Sequence, residues 1–330
     1  MTLISDVVVP EPMADYLLDD LPVANLMFSS GIVAQDPSLG VMLTKGGSKF
    51  SFPFWGDITG TESEIPVEGT AASIGKIGTY ELDVPRQLRR KDWGTGALTD
   101  ILAGADSMSA IQSRVSQYWK TDMQNNLISI TTGILESTDG AQIKVDAAAA
   151  DGADPTVANA ISAEHIIDGL AKLGDNSGKF KAMIVPTKVL TDMRKDNLIT
   201  EVPLSDQGQT IEKYQNMVII NDDNVPTLTR TSATLGTQTV YTTLLVKDAA
   251  FAYAESTKDF KPVVIKEDDD LGMGEEVLLT KRMFALHPKG WSWTGTAAGL
   301  APSNAELATD TNWSLMTDAK NSGFVGLYTN

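Results

Sequence analysis

Hydrophobic and polar residues alternate in two short stretches near the start of the chain. In KFSFPFW, residues 49–55, phenylalanine occupies every second position, and in TYELDV, residues 79–84, the apolar residues again share one side. This period of two predicts two β-strands with one buried face each. Pro53 lacks an amide donor, so the first strand is expected at a sheet edge. The connection between them is long for a compact domain, and an isolated two-stranded ribbon is marginal in water. The pattern therefore predicts an extended loop that lacks a packing partner of its own.

A period of three to four residues replaces this alternation from Gly96 to Leu135. The apolar positions with this spacing are Leu98, Ile101, Ala105, Met108, Ile111, Val115, Tyr118, Met123, Leu127, Ile130 and Ile134. They predict one long amphipathic helix of roughly 50 Å, at about 1.5 Å per residue. Gly104 and Gly133 are positions where it would kink or end, so two shorter core helices are the alternative.

Helices and strands alternate in the middle of the chain. SAEHIIDGLAKLG predicts a helix capped by Ser162 or Asn159, and TKVLTDMRKD predicts a second helix with Thr187 as its N-cap. A buried strand is expected in FKAMIVP, a strand followed by a turn in NMVIINDDNVP, and further strand in TVYTTLLVKDAAFAYAE. This order predicts a compact α/β unit from about 156 to 262, preceded by a small-residue hinge at 147–155.

The residue patterns at both ends of the chain predict extended arms that lie along another surface. Residues 1–44 contain no lysine or arginine, and prolines keep any helix there short. The last thirty residues are polar with scattered apolar anchors. Before them, the long strand in EEVLLTKRMFALHPKGWSW is expected to return the chain to its first region.

The composition narrows the possible classes of function. The chain has 330 residues, of which 42% are apolar and 21% charged, as in globular proteins. No window approaches the eighteen or so apolar residues of a membrane helix, and no positive charge precedes Lys45, so neither a membrane anchor nor a secretory leader is expected. Folding in a cytoplasm is predicted. The absence of cysteine excludes disulfides, thiolate nucleophiles and cysteine-based metal sites.

Candidate chemistry is sparse. The histidines, His165 and His287, stand in unrelated contexts, and no zinc-protease, nucleophile-elbow, phosphate-loop or dinucleotide motif is present, so neither a catalytic site nor a cofactor is predicted. The best metal candidate is EDDDLGMGEE, residues 267–276, whose carboxylates would suit Ca2+, but it lacks EF-hand spacing and is favoured as a solvated turn. Asp222 and Asp223 are interpreted as turn chemistry.

One basic cluster stands out in a chain of net charge -17. It is RQLRRKDW, with Arg86, Arg89, Arg90 and Lys91. Binding to DNA over the whole surface is opposed by the net charge, and four cations alone would bind only weakly at physiological salt. The favoured interpretation is a surface that pairs with acidic residues of another subunit; a solvated face is the alternative.

The order of these parts resembles the major capsid proteins of tailed bacteriophages with the Hong Kong 97-type fold. Segments similar to counterparts in that group are VVVPEPMADYLLDD, SSGIV, FPFWGDITG, FALHPKGWSW and NAELATDTNWSLMTDAKNSGFVGLYTN. The resemblance covers both ends and the middle of the chain. It implies an α+β fold and a non-enzymatic protein that self-assembles into an icosahedral shell around a double-stranded DNA genome.

The resemblance also implies roles for the parts of the chain. These are an N-terminal arm (1–45), an extended β-hairpin loop (46–92), a peripheral domain with the spine helix (93–150 and 263–298), an axial domain (151–262) and a C-terminal arm (299–330). It implies hexamers and pentamers of the chain in a virion capsid assembled in the host cytoplasm, with separate scaffolding and portal proteins, a decoration protein as an option, no membrane, and DNA enclosed without specific binding.

Large apolar side chains in the arms are the expected contacts between subunits, because obligate assemblies have large and relatively apolar interfaces. The candidates are Trp55, Ile58, Ile65 and Val67 in the extended loop, and Trp313, Phe324, Leu327 and Tyr328 in the C-terminal arm. Each would alternatively fold back onto its own subunit. Two other functions remain open at this point: an encapsulin-like compartment shell, and an acidic enzyme or carbohydrate-binding domain.

Overall fold

The computed structural model describes residues 31–56, 63, 65, 74, 77–97, 100, 101, 107–203, 210–258, 260–268 and 274–330. The α-helices are α1 Pro37–Leu43, α2 Ser107–Glu136, α3 Ala163–Ala171, α4 Thr187–Lys195 and α5 Asn304–Leu307. The strands are β1 Val33–Gln35, β2 Lys49–Trp55, β3 Thr79–Pro85, β4 Gln87–Gly96, β5 Lys144–Asp146, β6 Phe180–Val185, β7 Thr200–Pro203, β8 Thr210–Tyr214, β9 Met217–Asn221, β10 Thr227–Thr231, β11 Thr237–Lys247, β12 Phe251–Glu255, β13 Val263–Asp268, β14 Glu275–Pro288, β15 Trp291–Trp293, β16 Trp313–Leu315 and β17 Phe324–Thr329.

Strand β14 is the axis of the first sheet, in which β1, β12, β14 and β13 follow one another and β4 also pairs with β14. Thr280 is opposite both Val263 of β13 and Lys91 of β4, and Phe284 is opposite residues of both β12 and β4. Each residue of a strand can pair with one residue on each side of that strand. Strand β4 therefore pairs along one edge of β14, and β12 and β13 pair with successive parts of the other edge.

Helix α2 crosses one face of this sheet as a single helix of 30 residues. The indole Nε1 of Trp119 donates a hydrogen bond of 3.1 Å to Thr280 Oγ1, and the rings of Trp93 and Tyr118 meet edge to face at 5.1 Å. The prediction of a long helix is confirmed from Ser107 to Glu136, and Gly133 does not break it. Its predicted start at Gly96 is wrong, because that residue ends β4. Gly104, the other predicted break, lies outside the described residues, as do Leu98 and Ala105.

The second sheet contains the predicted α/β unit. Its strand order is β5, β17, β11, β6, β9, β8, β7, with β10 paired to β11. Ser162 caps α3 as predicted, by accepting a hydrogen bond from the amide of His165. Thr187 is not the N-cap of α4 but its first residue, and its amide donates to Asp223 Oδ1 at 2.6 Å. The last strand of the predicted unit, β12, belongs to the first sheet.

The C-terminal residues do not form a free arm. Strand β17 lies inside the second sheet between β5 and β11, so both of its edges are paired, and all of its residues are buried. Trp313, Phe324, Leu327 and Tyr328 are all buried in the subunit's own core. Their predicted role as anchors on a neighbour is therefore corrected to the alternative, a fold back onto their own subunit.

Residues 147–155, the predicted hinge, are also held to the second sheet. The amide of Ala147 donates to the carbonyl of Tyr328 at 2.9 Å, and that of Ala149 donates to Asn330 Oδ1 at 2.6 Å. The amide of Gly152 donates to the carbonyl of Thr231 at 2.7 Å. These bonds attach the predicted hinge to the second sheet at three points.

Two apolar cores result. The larger one joins both sheets and the C-terminal half of α2. The smaller one lies on the other face of the first sheet, where α1 and the base of the β2–β3 hairpin pack against β12 and β14. Its buried residues are Leu39, Leu43, Phe50, Val84, Ala252, Ala254, Met283 and Ala285. No described helix is long and apolar enough to cross a membrane.

Gly133 provides a test of how closely α2 packs. A methyl group at this position would meet the carbonyl oxygen of Leu307 and approach the indole of Trp313 to 2.9 Å. Alanine favours a helix over glycine by about 1 kcal/mol, but overpacking costs about 1–3 kcal/mol. Because the methyl group would meet a backbone carbonyl, which cannot rotate away, we place the cost at the upper end of this range and expect Gly133→Ala to lower the free energy of unfolding of the isolated subunit by about 2 kcal/mol, measured in urea.

Gly178→Ala is the matched control, because an added methyl at Gly178 meets no atom within 4 Å. It should leave the urea midpoint unchanged. A Gly133→Ala variant that is as stable as the wild type would contradict the packing described for α2.

Candidate assembly surface

The β2–β3 hairpin changes from buried to exposed along its length. Residues 49–55 pair with 79–85, as the alternation predicts, and β2 and β3 pair with no other described strand. At the root, Phe50 and Val84 are buried in the smaller core, whereas Trp55 at the far end is 69% exposed. The hairpin is thus anchored at one end and projects at the other.

The exposed apolar residues continue beyond the paired strands. Ile65 is 87% exposed and Ile74 is 91% exposed. Of the four contact residues predicted for the extended loop, Trp55 and Ile65 are therefore accessible to a partner. Ile58 and Val67 lie outside the described residues.

Asp83 connects the root of the hairpin to the body of the subunit. Its carboxylate accepts hydrogen bonds from Ser51 Oγ and, at 2.6 Å, from Lys49 Nζ, while its amide donates to Ser292 Oγ of β15 at 2.9 Å. Burial alone would raise the pKa of Asp83, but the hydrogen bonds from Lys49 and Ser51 outweigh it and hold this pKa below its usual value. The ionised carboxylate therefore joins β3 to β2, and the backbone amide of the same residue joins β3 to β15.

The two histidines belong to different parts of the fold. His287 lies on β14 of the first sheet and is fully buried; this burial lowers its pKa to about 4, so the ring is neutral at neutral pH. His165 lies on α3, where its Nδ1 is 3.1 Å from the carbonyl of Ala160. The structure does not bring them together as a pair.

The basic cluster on β4 is divided by the structure. The guanidinium of Arg86 donates to the carbonyl of Lys45, and that of Arg89 donates to the carbonyl of Pro302 at 2.8 Å and to Asn304 Oδ1 at 3.0 Å. Both arginines thus serve contacts within the subunit, which corrects the prediction that they form an outward pairing surface.

Arg90 and Lys91 are exposed, but successive strand residues point to opposite faces. Lys91 shares the face covered by α2, because it is opposite Thr280 in the register. Arg90 is on the other face, here called the outer face, and forms an ion pair with Asp92.

Two further cations on the outer face were missed by the sequence analysis. Lys281 is directly opposite Arg90, and Lys266 of β13 lies two register positions along the same face. The hydrogen bond from Arg90 lowers the pKa of Asp92, and the charges of Lys281 and Lys266 add to the effect. The alternation along a strand predicts which face of the sheet each side chain is on. Only the pairing register shows that β4, β13 and β14 are neighbours, so the sequence alone could not group these cations.

The acidic turn 267–276 closes one end of the first sheet. Glu267 of β13 is opposite Glu276 of β14 in the register, so two carboxylates share one position across these strands. Among the described residues, no group of three or more His, Cys, Asp or Glu is arranged to hold a metal ion. Residues 269–273 of the predicted metal candidate lie outside the described residues.

Known proteins are similar to this chain over most of its length. A family model described as Gp13-like, major capsid protein 13-like, matches residues 70–325. The major capsid protein of Bacillus phage SPP1 is 32% identical over 323 residues, which are 97% of this chain and 95% of that protein.

Solved structures give the same fold. The capsid of Ralstonia phage GP4 aligns with a TM-score of 0.59 and 11% identity over 90% of this chain and 87% of that one. The capsid of cyanophage Pam1 aligns with a TM-score of 0.54 and 9% identity over 88% of this chain and 86% of that one. At these identities the likeness concerns the fold alone.

Removal of the Asp83 carboxylate tests the root of the hairpin. We expect Asp83→Ala to speed amide hydrogen exchange in residues 49–55 by about tenfold, because a hydrogen bond to a charged group contributes about 1.5–3 kcal/mol. Exchange in β11 should not change. Since the pKa is lowered in the folded state, the contribution is complete at neutral pH and is lost as the pH falls below about 4.

Glu81→Ala is the matched control, because Glu81 is on the same strand and exposed. It should leave exchange in residues 49–55 unchanged. Equal exchange in the Asp83→Ala variant and the wild type would show that the carboxylate does not hold the hairpin.

Proposed function

Because this chain belongs to the Gp13-like family of major capsid proteins, we propose that its exposed hairpin and its charged first sheet join copies of the chain into a shell. The protein is a major capsid protein of a tailed phage with the Hong Kong 97-type fold, so the predicted fold and function are confirmed. The structural neighbours are phage capsids and not encapsulin-like compartments, and the family is one of structural proteins.

The exposure of the hairpin beyond its root is the observation that supports this role most directly. Trp55, Ile65 and Ile74 present large apolar side chains to solvent, although Phe50 at the root is buried. A monomeric protein gains nothing from such a ribbon, whereas obligate assemblies bury large apolar interfaces between their chains. The packing partner that the hairpin lacks in its own subunit is, in this proposal, a neighbouring copy.

The family role supports an oligomeric, icosahedral assembly and a place in the virion capsid. Within that role we expect hexamers and pentamers of the chain, assembly in the host cytoplasm, and help from separate scaffolding and portal proteins. A decoration protein is an optional further partner. These finer expectations follow from the role of a capsid subunit.

The net charge of -17 suits a container for DNA. Affinity for the phosphate backbone comes from Lys and Arg that displace counterions. A strongly acidic subunit therefore encloses DNA without binding it tightly, and the genome remains free to move during packaging.

The extended loop can be tested by deletion. We expect removal of residues 58–76, closed by a short glycine linker, to abolish shells while the subunit keeps its thermal unfolding midpoint, because Ile65 and Ile74, the described apolar residues of this segment, are exposed and belong to neither apolar core. Negative-stain electron microscopy and thermal unfolding provide the two measurements.

In a second variant, residues 58–76 are replaced by a Gly-Ser segment of equal length. This variant keeps the length of the loop and removes its side chains, so it distinguishes the two contributions. It should also fail to assemble. Normal shells from either variant would contradict the proposed role, and an unfolded subunit would place the segment in the subunit's own core.

Binding to DNA provides an independent test. Isolated subunits should retain a double-stranded DNA fragment only weakly, with a shallow dependence on salt, because few phosphates can be neutralised. Filter binding between about 50 and 200 mM salt measures this slope. Tight binding with a steep slope would contradict enclosure without specific contact.

A further inference from the structure

We propose that the side chain of Tyr16 inserts into a cavity between the root of the β2–β3 hairpin and helix α1 of its own subunit. Tyr16 belongs to the N-terminal segment, residues 1–30, which lies outside the described residues. The inference goes beyond the proposed function, because it concerns a single subunit and does not require neighbouring copies.

The cavity has a volume of about 200 Å³ and mainly apolar walls. Phe52 and Leu82, which are directly opposite each other in the hairpin, form one wall and are only half-buried. Leu39 of α1 and Ala252 of β12 belong to the smaller core and form the other walls. An engineered apolar cavity of about 150 Å³ binds benzene. This cavity therefore has room for an aromatic ring.

A buried polar group gives the cavity a chemical preference. His287, which is opposite Ala252 in the register, lines the cavity and is only 4% exposed. Neither ring nitrogen has a hydrogen-bond partner of ordinary geometry among the described residues. Burial lowers the pKa of His287 to about 4, against the opposing effects of the Trp291 backbone and the Asp83 carboxylate. The neutral ring can accept one hydrogen bond, so an occupant with a hydroxyl group would satisfy a buried polar atom.

The N-terminal segment carries a side chain of this kind. Tyr16 is the one tyrosine of residues 1–30, and Phe28, the other aromatic residue there, has no hydroxyl group. A tyrosine side chain combines an apolar ring with a hydroxyl at its far end. The ring suits the apolar walls, and the hydroxyl suits the imidazole of His287.

The described chain begins beside the cavity. The carbonyl of Gly31 accepts a hydrogen bond from the amide of Ala249 at 3.0 Å, and Ser38, a few residues further along, lies at the rim of the cavity. About 15 residues connect Tyr16 to Gly31, and they can span up to about 50 Å when extended. A connection of this length gives an effective concentration on the order of millimolar. It favours the cavity of the same subunit over that of a second copy.

Charges at the rim support the same occupant. Lys289 is exposed there, and among the described residues no carboxylate forms an ion pair with it. Asp36, which is also at the rim, already serves as the N-cap of α1. Asp15 and Asp19 are close to Tyr16 in the sequence, so an inserted ring would bring carboxylates toward the ammonium group of Lys289.

A pair of cysteines can report on the contact, because the chain itself contains none. Leu17→Cys and Ser38→Cys leave Tyr16 intact and place one thiol beside the ring and the other at the rim. The initial rate of disulfide formation in isolated subunits, followed on non-reducing gels, measures how often these positions meet. We expect Tyr16→Ala to lower this rate at least about tenfold, because the buried ring supplies most of the contact. Tyr16→Phe should lower it about threefold, because only the hydrogen bond is lost.

Phe28→Ala is the matched control, since it removes the other aromatic ring of the segment. It should leave the rate of the cysteine pair unchanged. A segment that did not bind would give the same rate with and without Tyr16, because ring closure would then depend on chain length alone. Circular dichroism of each variant verifies that the subunit is folded.

The two histidines allow a second measurement that needs no cysteine. In NMR spectra of subunits with isotope-labelled histidine, Tyr16→Phe should shift the ring-nitrogen signals of His287, because the imidazole loses its hydrogen-bond donor. The signals of His165, which lies on α3, should not move.

Three results would overturn the inference. An unchanged disulfide rate in Tyr16→Ala would show that this side chain does not hold the segment at the rim. Disulfides between chains, in place of those within a chain, would assign the cavity to a second copy. Identical His287 signals in Tyr16→Phe and wild type would show that the hydroxyl does not reach the imidazole. Each measurement uses isolated subunits, so any of these results would leave the proposed role in the shell intact.

Discussion

The packing of helix α2 across strand β14 is the contact on which the rest of the molecule depends. Trp119 hydrogen-bonds to Thr280 at 3.1 Å, and the guanidinium of Arg282 lies 5.4 Å from the same indole. Strand β14 holds β12, β13 and β4, while the C-terminal half of α2 enters the core shared with the second sheet. One helix therefore connects two sheets, because its two halves bury different apolar surfaces.

Helix α2 covers charged side chains on the first sheet, and it supplies a carboxylate that compensates their charge. Arg89 and Arg282 are directly opposite each other on β4 and β14, and the repulsion between them requires a counter-charge. Asp122 of α2 interacts with both, although burial raises the pKa of this carboxyl. Because Arg89 also binds Asn304 Oδ1 at 3.0 Å, the same arrangement fastens the C-terminal segment. The helix, the sheet and the chain end are thus coupled through one partly buried cation.

The surfaces that we propose for assembly lie at the periphery of this body. The hairpin leaves the body at Asp83, whose carboxylate sets its root, and becomes apolar and exposed toward Trp55. The outer face of the first sheet carries the cations that the register gathers around Asp92. Apolar contacts supply area, and charges supply orientation. A capsid subunit needs both, because each copy must bind its neighbours and bind them in one arrangement.

The amino-acid sequence by itself determined the local elements: the alternating phenylalanines of β2, the three-to-four-residue period of α2, and the capping of α3 by Ser162. These follow from periodicity and side-chain chemistry within one segment. The order of the parts, together with the family resemblance, also indicated the Hong Kong 97-type fold. Only the tertiary structure decided that Asp223 caps α4, that β17 enters the second sheet, and that Lys281 faces Arg90. Strand pairing and burial join residues far apart in the chain, and no local pattern records which partner a strand or an arm will select.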